Sequence, residues 1–200
     1  MRKEIEAKGW NKLIYLFMSQ QTYLKVPFVW QEPKPLLEIP SRLEFKTAKM
    51  LGEQVLISTL VRVMESSIDK SDRKQVSEWG SRQAAEQFLA KSRDGFSYED
   101  EWWKIGVNGD GEVVGFVLPV IYKGCAKEGL EEATLYYLGV LPQYRRQGFA
   151  TDLLLKGTRI LQDIGIWRVF CDTDANNIPM ISTFKRVGYQ QYSEPWLRPL

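Results

Sequence analysis

The stretch Leu135-Tyr136-Tyr137-Leu138-Gly139-Val140-Leu141-Pro142-Gln143-Tyr144-Arg145-Arg146-Gln147-Gly148-Phe149-Ala150 decides how this chain is read. An apolar, β-prone run ends at Val140, and a loop of amides and cations follows. Ala150, Leu153, Leu154, Gly157 and Leu161 then recur at helical spacing, so a helix starts near Arg146–Gly148. The first N–H groups of a helix have no intrahelical acceptor and lie at the positive end of its dipole. Gly148 lets a bulky anion reach the backbone, Ala150 keeps the next position small, and Arg145 and Arg146 can add charge-assisted contacts. The pattern predicts a main-chain anion site suited to a pyrophosphate. It is neither a P-loop nor a dinucleotide fingerprint, because GxxxxGK[ST] and GxGxxG are both missing.

Outward from this segment, Trp103–Val107, the turn Asn108-Gly109-Asp110-Gly111 and Val113–Leu118 predict a hairpin, with Pro119 ending its regular pairing. Arg42–Lys46 reads as a short strand, Met50–Met64 and Arg82–Lys91 as amphipathic helices, and the polar Glu65–Lys74 as their connection. Thr134–Val140 and Trp167–Cys171 are strands. Asn176 or Asn177 caps a later helix with Pro179 in its first turn, and Gly188 ends it. Tyr189–Trp196 reads as a last edge strand. A hairpin followed by β-α-β-α-β units predicts an α/β chain, a mixed sheet with helices on its faces. In residues 1–40, Leu13–Met18 and Tyr23–Trp30 suggest a hairpin arm ahead of Pro33, Pro35 and Pro40. A boundary near Pro40 leaves 41–200 as the main domain. The arm could cover the acceptor site or join a second copy of the chain, so a homodimer is a candidate assembly.

Composition removes several function classes. The apolar and charged fractions, 44% and 26%, are those of an ordinary globular chain, and a net charge of +2 gives no strong pull on nucleic acid or an anionic membrane. No apolar run approaches a bilayer span, and Met1–Trp10 has no apolar stretch backed by a cleavage site, so a cytoplasmic protein is expected. Histidine is absent, which removes Ser-His-Asp and Cys-His catalysis. With only Cys125 and Cys171 beside the carboxylates, a zinc site is not expected either.

The central segment resembles the main motif of the GNAT superfamily of acyl-CoA-dependent N-acetyltransferases. A strand ending in Leu138-Gly139-Val140 is followed by Pro142 and then by R-x-x-G-x-A, Arg145 to Ala150. Asn177-x-x-Met180-x-x-x-Phe184-x-x-x-Gly188-Tyr189 resembles the family's next motif at matching spacing. The resemblance, over roughly residues 42–192, implies a GNAT-like fold whose central parallel strands splay to admit acetyl-CoA. On matching positions, main-chain groups of Leu138, Gly139 and Val140 would pair with pantetheine. Arg145, Arg146, Gln147, Gly148, Phe149, Ala150 and Thr151 would hold the pyrophosphate, Asn177 would contact the pantetheine arm, and Phe184 would pack beside the thioester.

The implied reaction is direct attack on the acyl carbonyl by the amine of a small-molecule or peptide acceptor, with a main-chain N–H near Leu138 polarising the oxygen. Deprotonating an ammonium of pKa about 10.4 at neutral pH costs roughly 4–5 kcal/mol, so a proton acceptor matters. Glu132 stands where some members carry a catalytic glutamate, although Glu131-Glu132 also reads as an exposed acidic turn. Strand parity puts Tyr136 and Tyr137 on opposite sides, with Tyr137 toward the substrate. Phe184 departs from the family, many members of which carry a proton-donating tyrosine there. Tyr137, Tyr189 or water would have to serve, or the thiolate leaves unaided; a non-catalytic acyl-CoA-binding module is the alternative. Asp69, Asp72 and Glu78 read as a solvated helix connection.

Overall fold

Hairpin, crossover and edge strands assemble into one sheet in a computed structural model that describes residues 22–125 and 131–200. The strands are β1 (Thr22–Gln31), β2 (Glu44–Thr47), β3 (Phe96–Ser97), β4 (Lys104–Val107), β5 (Val113–Tyr122), β6 (Glu132–Val140), β7 (Arg168–Asp174), β8 (Gln190–Gln191) and β9 (Trp196–Pro199). They run in the order β2-β4-β5-β6-β7-β1-β8, with β3 on β5 and β9 on β1. Only β6 and β7 pair in parallel among these. The helices are α1 (Ala48–Leu51), α2 (Glu53–Glu65), α3 (Lys70–Trp79), α4 (Ser81–Gly95), α5 (Phe149–Asp163) and α6 (Ile178–Val187).

Both sheet faces are covered. Leu153, Leu154 and Leu161 of α5 and Phe184 and Val187 of α6 pack with Phe28, Trp30, Val117, Leu135 and Val169 on one face. Leu56, Leu60 and Met64 of α2 and Ala85 and Leu89 of α4 pack with Phe116, Leu118 and Val120 on the other. Strand β5 faces both layers, which is why it reads as a continuous apolar run. This is the mixed sheet with helices on its faces that the element order implies.

Several local expectations change. Regular pairing does stop at Pro119: the β4–β5 ladder ends at Val117, and the register against β6 shifts between Leu118 and Pro119. The strand itself continues to Tyr122. Leu118 faces Tyr137 while Pro119 faces Leu135, which makes Tyr136 the extra residue of a β-bulge. A proline without an N–H is tolerated at a bulge. The expected Glu65–Lys74 connection instead leads into α3, which buries only Asp72 and so carries no apolar stripe to find. Asp69 caps it by accepting from Ser71 N. The single helix expected over Met50–Met64 breaks at Gly52, which takes φ 91°. The last strand divides into β8 and β9 around Pro195.

Of the expected N-terminal arm, Tyr23–Trp30 lies within β1, paired with β7 and carrying the fully buried Phe28 and Trp30. Leu13–Met18 lies outside the described residues. No helix among the described residues is long and apolar enough to cross a membrane.

Candidate active site

The parallel pair β6–β7 is short by design of its register. Pairing holds from Glu132–Arg168 to Thr134–Phe170 and then stops, so β6 is without its parallel partner from Leu135 to Val140. A cleft of about 1060 Å³ opens there, reaching from Arg145–Thr151 at one end to Asp69, Asp72 and Asp172 at the other. Leu138, Gly139, Val140, Arg145, Arg146, Gly148, Phe149, Ala150, Thr151, Asn177 and Phe184 all line it, as does Tyr137. Gln147 does not line it, and neither does Glu132.

At the basic end, the loop after Val140 makes a 3₁₀ turn at Pro142–Tyr144 and then takes positive φ at Arg146 (63°) and Gly148 (84°). Gly148 is the N-cap of α5, and successive N–H groups of such a turn form an anion-binding concavity. Phe149 and Ala150 occupy the first turn, whose N–H groups lack intrahelical acceptors. Thr151 is different: its N–H donates to Gly148 O at 2.9 Å.

Arg145 is also spoken for. Its Nε donates to Val140 O at 3.1 Å, and its Nη1 and Nη2 donate to Ser66 O and Oγ at 2.9 and 2.7 Å. It therefore ties the end of β6 to the end of α2, whereas Arg146 lines the cleft. Arg145→Ala should lower stability by about 2 kcal/mol, because charged hydrogen bonds to three acceptors are lost. Denaturant unfolding measures this.

The cradle is pinned by a residue no local pattern marks. Arg42 Nη2 donates to Asp152 Oδ2 and its Nη1 to Gln147 O, both at 2.6 Å. Asp152 has a fully buried side chain in the first turn of α5, where its charge would repel a phosphate if left unpaired. Arg42 offsets it from 110 residues away.

Gly139 has a packing reason to be glycine. A Cβ there would lie 2.6 Å from Val63 Cγ1, so with any larger residue Val63 of α2 would have to shift away from β6. Asn177 caps α6, its Oδ1 accepting from Met180 N at 3.3 Å. Phe184 is buried, stacked on Phe28 with centroids 5.0 Å apart and near Tyr189 at 5.4 Å. Tyr189 is removed as a proton donor: it is buried in the core, with its hydroxyl 2.7 Å from Thr158 Oγ1. Burial pushes the Cys171 thiol up to about 12, so it stays protonated.

Glu132 sits at the start of β6, buried, with Arg168 Nη1 3.5 Å from its Oε1. It is far along the strand from Val140 and is not the exposed turn that the sequence suggests. Strand parity fails one turn of the pleat later. Because Tyr136 is the bulge residue, Tyr136 and Tyr137 both lie against the Phe88 ring, at 4.8 and 5.0 Å.

At the far end, Lys25 Nζ lies 2.8 Å from Asp69 Oδ2 and 3.1 Å from Asp172 Oδ1. Asp72 is not solvated. It is 6% exposed, accepts from Ser67 Oγ at 2.5 Å and from Tyr137 Oη at 2.6 Å, and forms no ion pair among the described residues. Glu78 is exposed on the outer face of α3, paired with Lys74.

With this geometry in hand, the comparisons converge. A model of the acetyltransferase (GNAT) family matches residues 68–189, more than half of the chain, and the chain belongs to that family. It is similar to a mycothiol acetyltransferase from Pseudarthrobacter chlorophenolicus, 30% identical over 47% of this chain and 30% of that protein. It is also similar to an N-alpha-acetyltransferase from Sulfurisphaera tokodaii, 28% identical over 41% of this chain and 53% of that one. The matched regions thus span only about a third to a half of these relatives. Among solved structures, a GCN5-related N-acetyltransferase from Sphaerobacter thermophilus superposes with a TM-score of 0.59 at 16% identity, over 94% of this chain and 54% of that chain. At that identity the likeness establishes the fold.

Proposed function

We propose that the chain transfers an acetyl group from acetyl-CoA to the primary amine of a small-molecule or peptide acceptor. The observation that carries this reading is that the anion cradle, the unpaired stretch of β6 and an end bearing carboxylates belong to one cleft. Arg146 and the N–H groups of Gly148, Phe149 and Ala150 suit a pyrophosphate. The flank of β6 from Leu138 to Val140, of which Val140 O is already held by Arg145 Nε, suits the amides of a pantetheine arm, and the main-chain N–H at Leu138 is the candidate for polarising the acyl oxygen. Acetyl-CoA brings a thioester that is already activated, so the protein's work is to position the acceptor and take its proton.

Saturating acetyl-CoA should raise the melting temperature by roughly 5–10 °C at about a hundredfold excess over Kd. Release of free thiol from acetyl-CoA, followed with a diamine, an amino-acid amide, an aminosugar and a short peptide, should then exceed background for at least one acceptor. No thermal shift at millimolar acetyl-CoA overturns the reading. A shift with no thiol release from any acceptor leaves a binding module in its place.

A further inference from the structure

Asp72 differs from the other buried carboxylates of the described residues in what surrounds it. Asp152 has Arg42, Glu132 has Arg168, and Asp174, like Asp72 outside the ion pairs, accepts from three N–H groups, those of Lys70 N, Asn176 N and Asn176 Nδ2. Asp72 has two hydroxyls instead, those of Ser67 and Tyr137, both on the same oxygen. A carboxylate taken out of water without a cation costs stability unless hydrogen bonds compensate fully. Its position is nonetheless held by the surrounding fold. Asp69 caps α3, Asp69 N donates to Ser67 Oγ, and Lys70 N donates to Asp174 Oδ2 at the end of β7. These contacts fix the first turn of α3, where Asp72 meets the Tyr137 hydroxyl next to the bulge.

Resting on the acetyltransfer reading, we infer that Tyr137 and Asp72 form a proton-accepting dyad for the acceptor amine. The Tyr137 oxygen receives a proton from the ammonium as the phenolic proton passes to Asp72 Oδ2. The amine then attacks, C–N forms as C–S breaks, and the second nitrogen-bound proton leaves with the sulfur as thiol. Asp72 returns its proton to solvent between turnovers. Tyr137 is thus the catalytic residue that touches the amine, and Asp72 acts through it.

The electrostatics agree with that assignment. Burial raises the Asp72 carboxyl above the ordinary carboxylate range, against the pull of the Ser67 and Tyr137 hydrogen bonds. Asp69 on the same connection pushes it further up, and Lys25 on β1 pulls it down. Burial and then the Asp72 charge hold the Tyr137 phenol well above its usual value, so it rests as a neutral donor. A raised carboxyl means that the folded state binds more protons than the unfolded one. Stability is therefore lost as pH rises through the folded value, so ionising Asp72 weakens the fold.

The test is Asp72→Asn, whose amide oxygen still accepts from Ser67 and Tyr137. With whichever amine the wild type acetylates, kcat should fall by about a hundredfold or more. The acid-side limb of its pH profile should vanish, while the melting temperature at pH 7 and the acetyl-CoA-induced shift stay equal or rise. Tyr137→Phe, which leaves Asp72 bonded to Ser67, should reproduce the loss of kcat and serves if the first variant does not fold. An active wild type with kcat within threefold in both variants and an unchanged pH profile overturns the dyad alone. A lower melting temperature matched by no change in kcat assigns Asp72 to structure and also overturns it. A wild type that releases no thiol overturns the acetyltransfer reading itself.

Discussion

Gly115→Ala should cost the fold about 3 kcal/mol or more, a fall of roughly 6–12 °C in melting temperature. Gly115 lies on β5 opposite Val140, where β5 and β6 run side by side beneath α5. A Cβ built there would come 2.1 Å from the carbonyl oxygen of Gly139 and 3.1 Å from Leu153 Cδ1. The first neighbour is backbone in the middle of a sheet, so no rotamer change relieves it. Either β6 moves away from β5 or the ladder at Val140 breaks, and both disturb the strand end from which the cradle loop departs. Two controls separate this from a general intolerance of alanine. Gly109, in the exposed turn, would meet nothing within 4 Å, and Gly109→Ala should be near neutral. Gly157 on α5 would meet only side-chain ends, Val117 Cγ2 at 2.7 Å and Leu135 Cδ2 at 2.8 Å. Those methyl groups can give way, so Gly157→Ala should fall between the two, at about 1–3 kcal/mol. Denaturant unfolding of the three variants gives the order, and a Gly115→Ala protein within 1 kcal/mol of wild type contradicts it.

The position of Gly115 also shows where the sequence stops speaking. Its neighbour Gly139 belongs to a stretch that can be read directly, because period-two and 3.6-residue patterns are local and the cradle is one contiguous loop. The same holds for the α5 face, for Asn177 as a cap and for Gly188, whose φ of 109° ends α6. What escapes is whatever depends on a partner distant in the chain. Arg42 completes the cradle from the strand-β2 side, and nothing near it in sequence says so. Asp72 looks like a solvated helix charge because α3 buries no apolar side chain, yet hydrogen bonds that join the first turn of α3 to Tyr137 on β6 and Asp174 on β7 hold it in a buried place. Tyr136 and Tyr137 obey alternation in any regular strand, and only the register against Pro119 reveals the bulge that puts both beside Phe88. In each case the missing information is tertiary, and it concerns the carboxylate-bearing end of the cleft more than the Arg145–Thr151 end, the one proposed for phosphates.

That asymmetry makes the phosphate end the place for the sharpest binding prediction: Gly148→Glu should abolish the melting shift produced by acetyl-CoA. Gly148 holds φ at 84° as the N-cap of α5, a conformation that a side chain adopts only with strain of about 1–3 kcal/mol. A Cβ there would stand 3.0 Å from Arg42 Nη2, the atom that also holds Asp152. The added carboxylate therefore does two things at once: it fills the concavity that a pyrophosphate would occupy, and it competes with Asp152 for Arg42. Strain alone would weaken folding without touching the ligand, so Gly148→Asn separates the terms. Asparagine tolerates the left-handed region and carries no charge. It should fold with little loss and keep a reduced shift, whereas glutamate should keep none even when its own melting temperature is within reach of the wild type. Equal shifts in wild type and Gly148→Glu would mean that the nucleotide phosphates sit elsewhere in the cleft. In that case Arg146 and the first turn of α5 would have no claim on them.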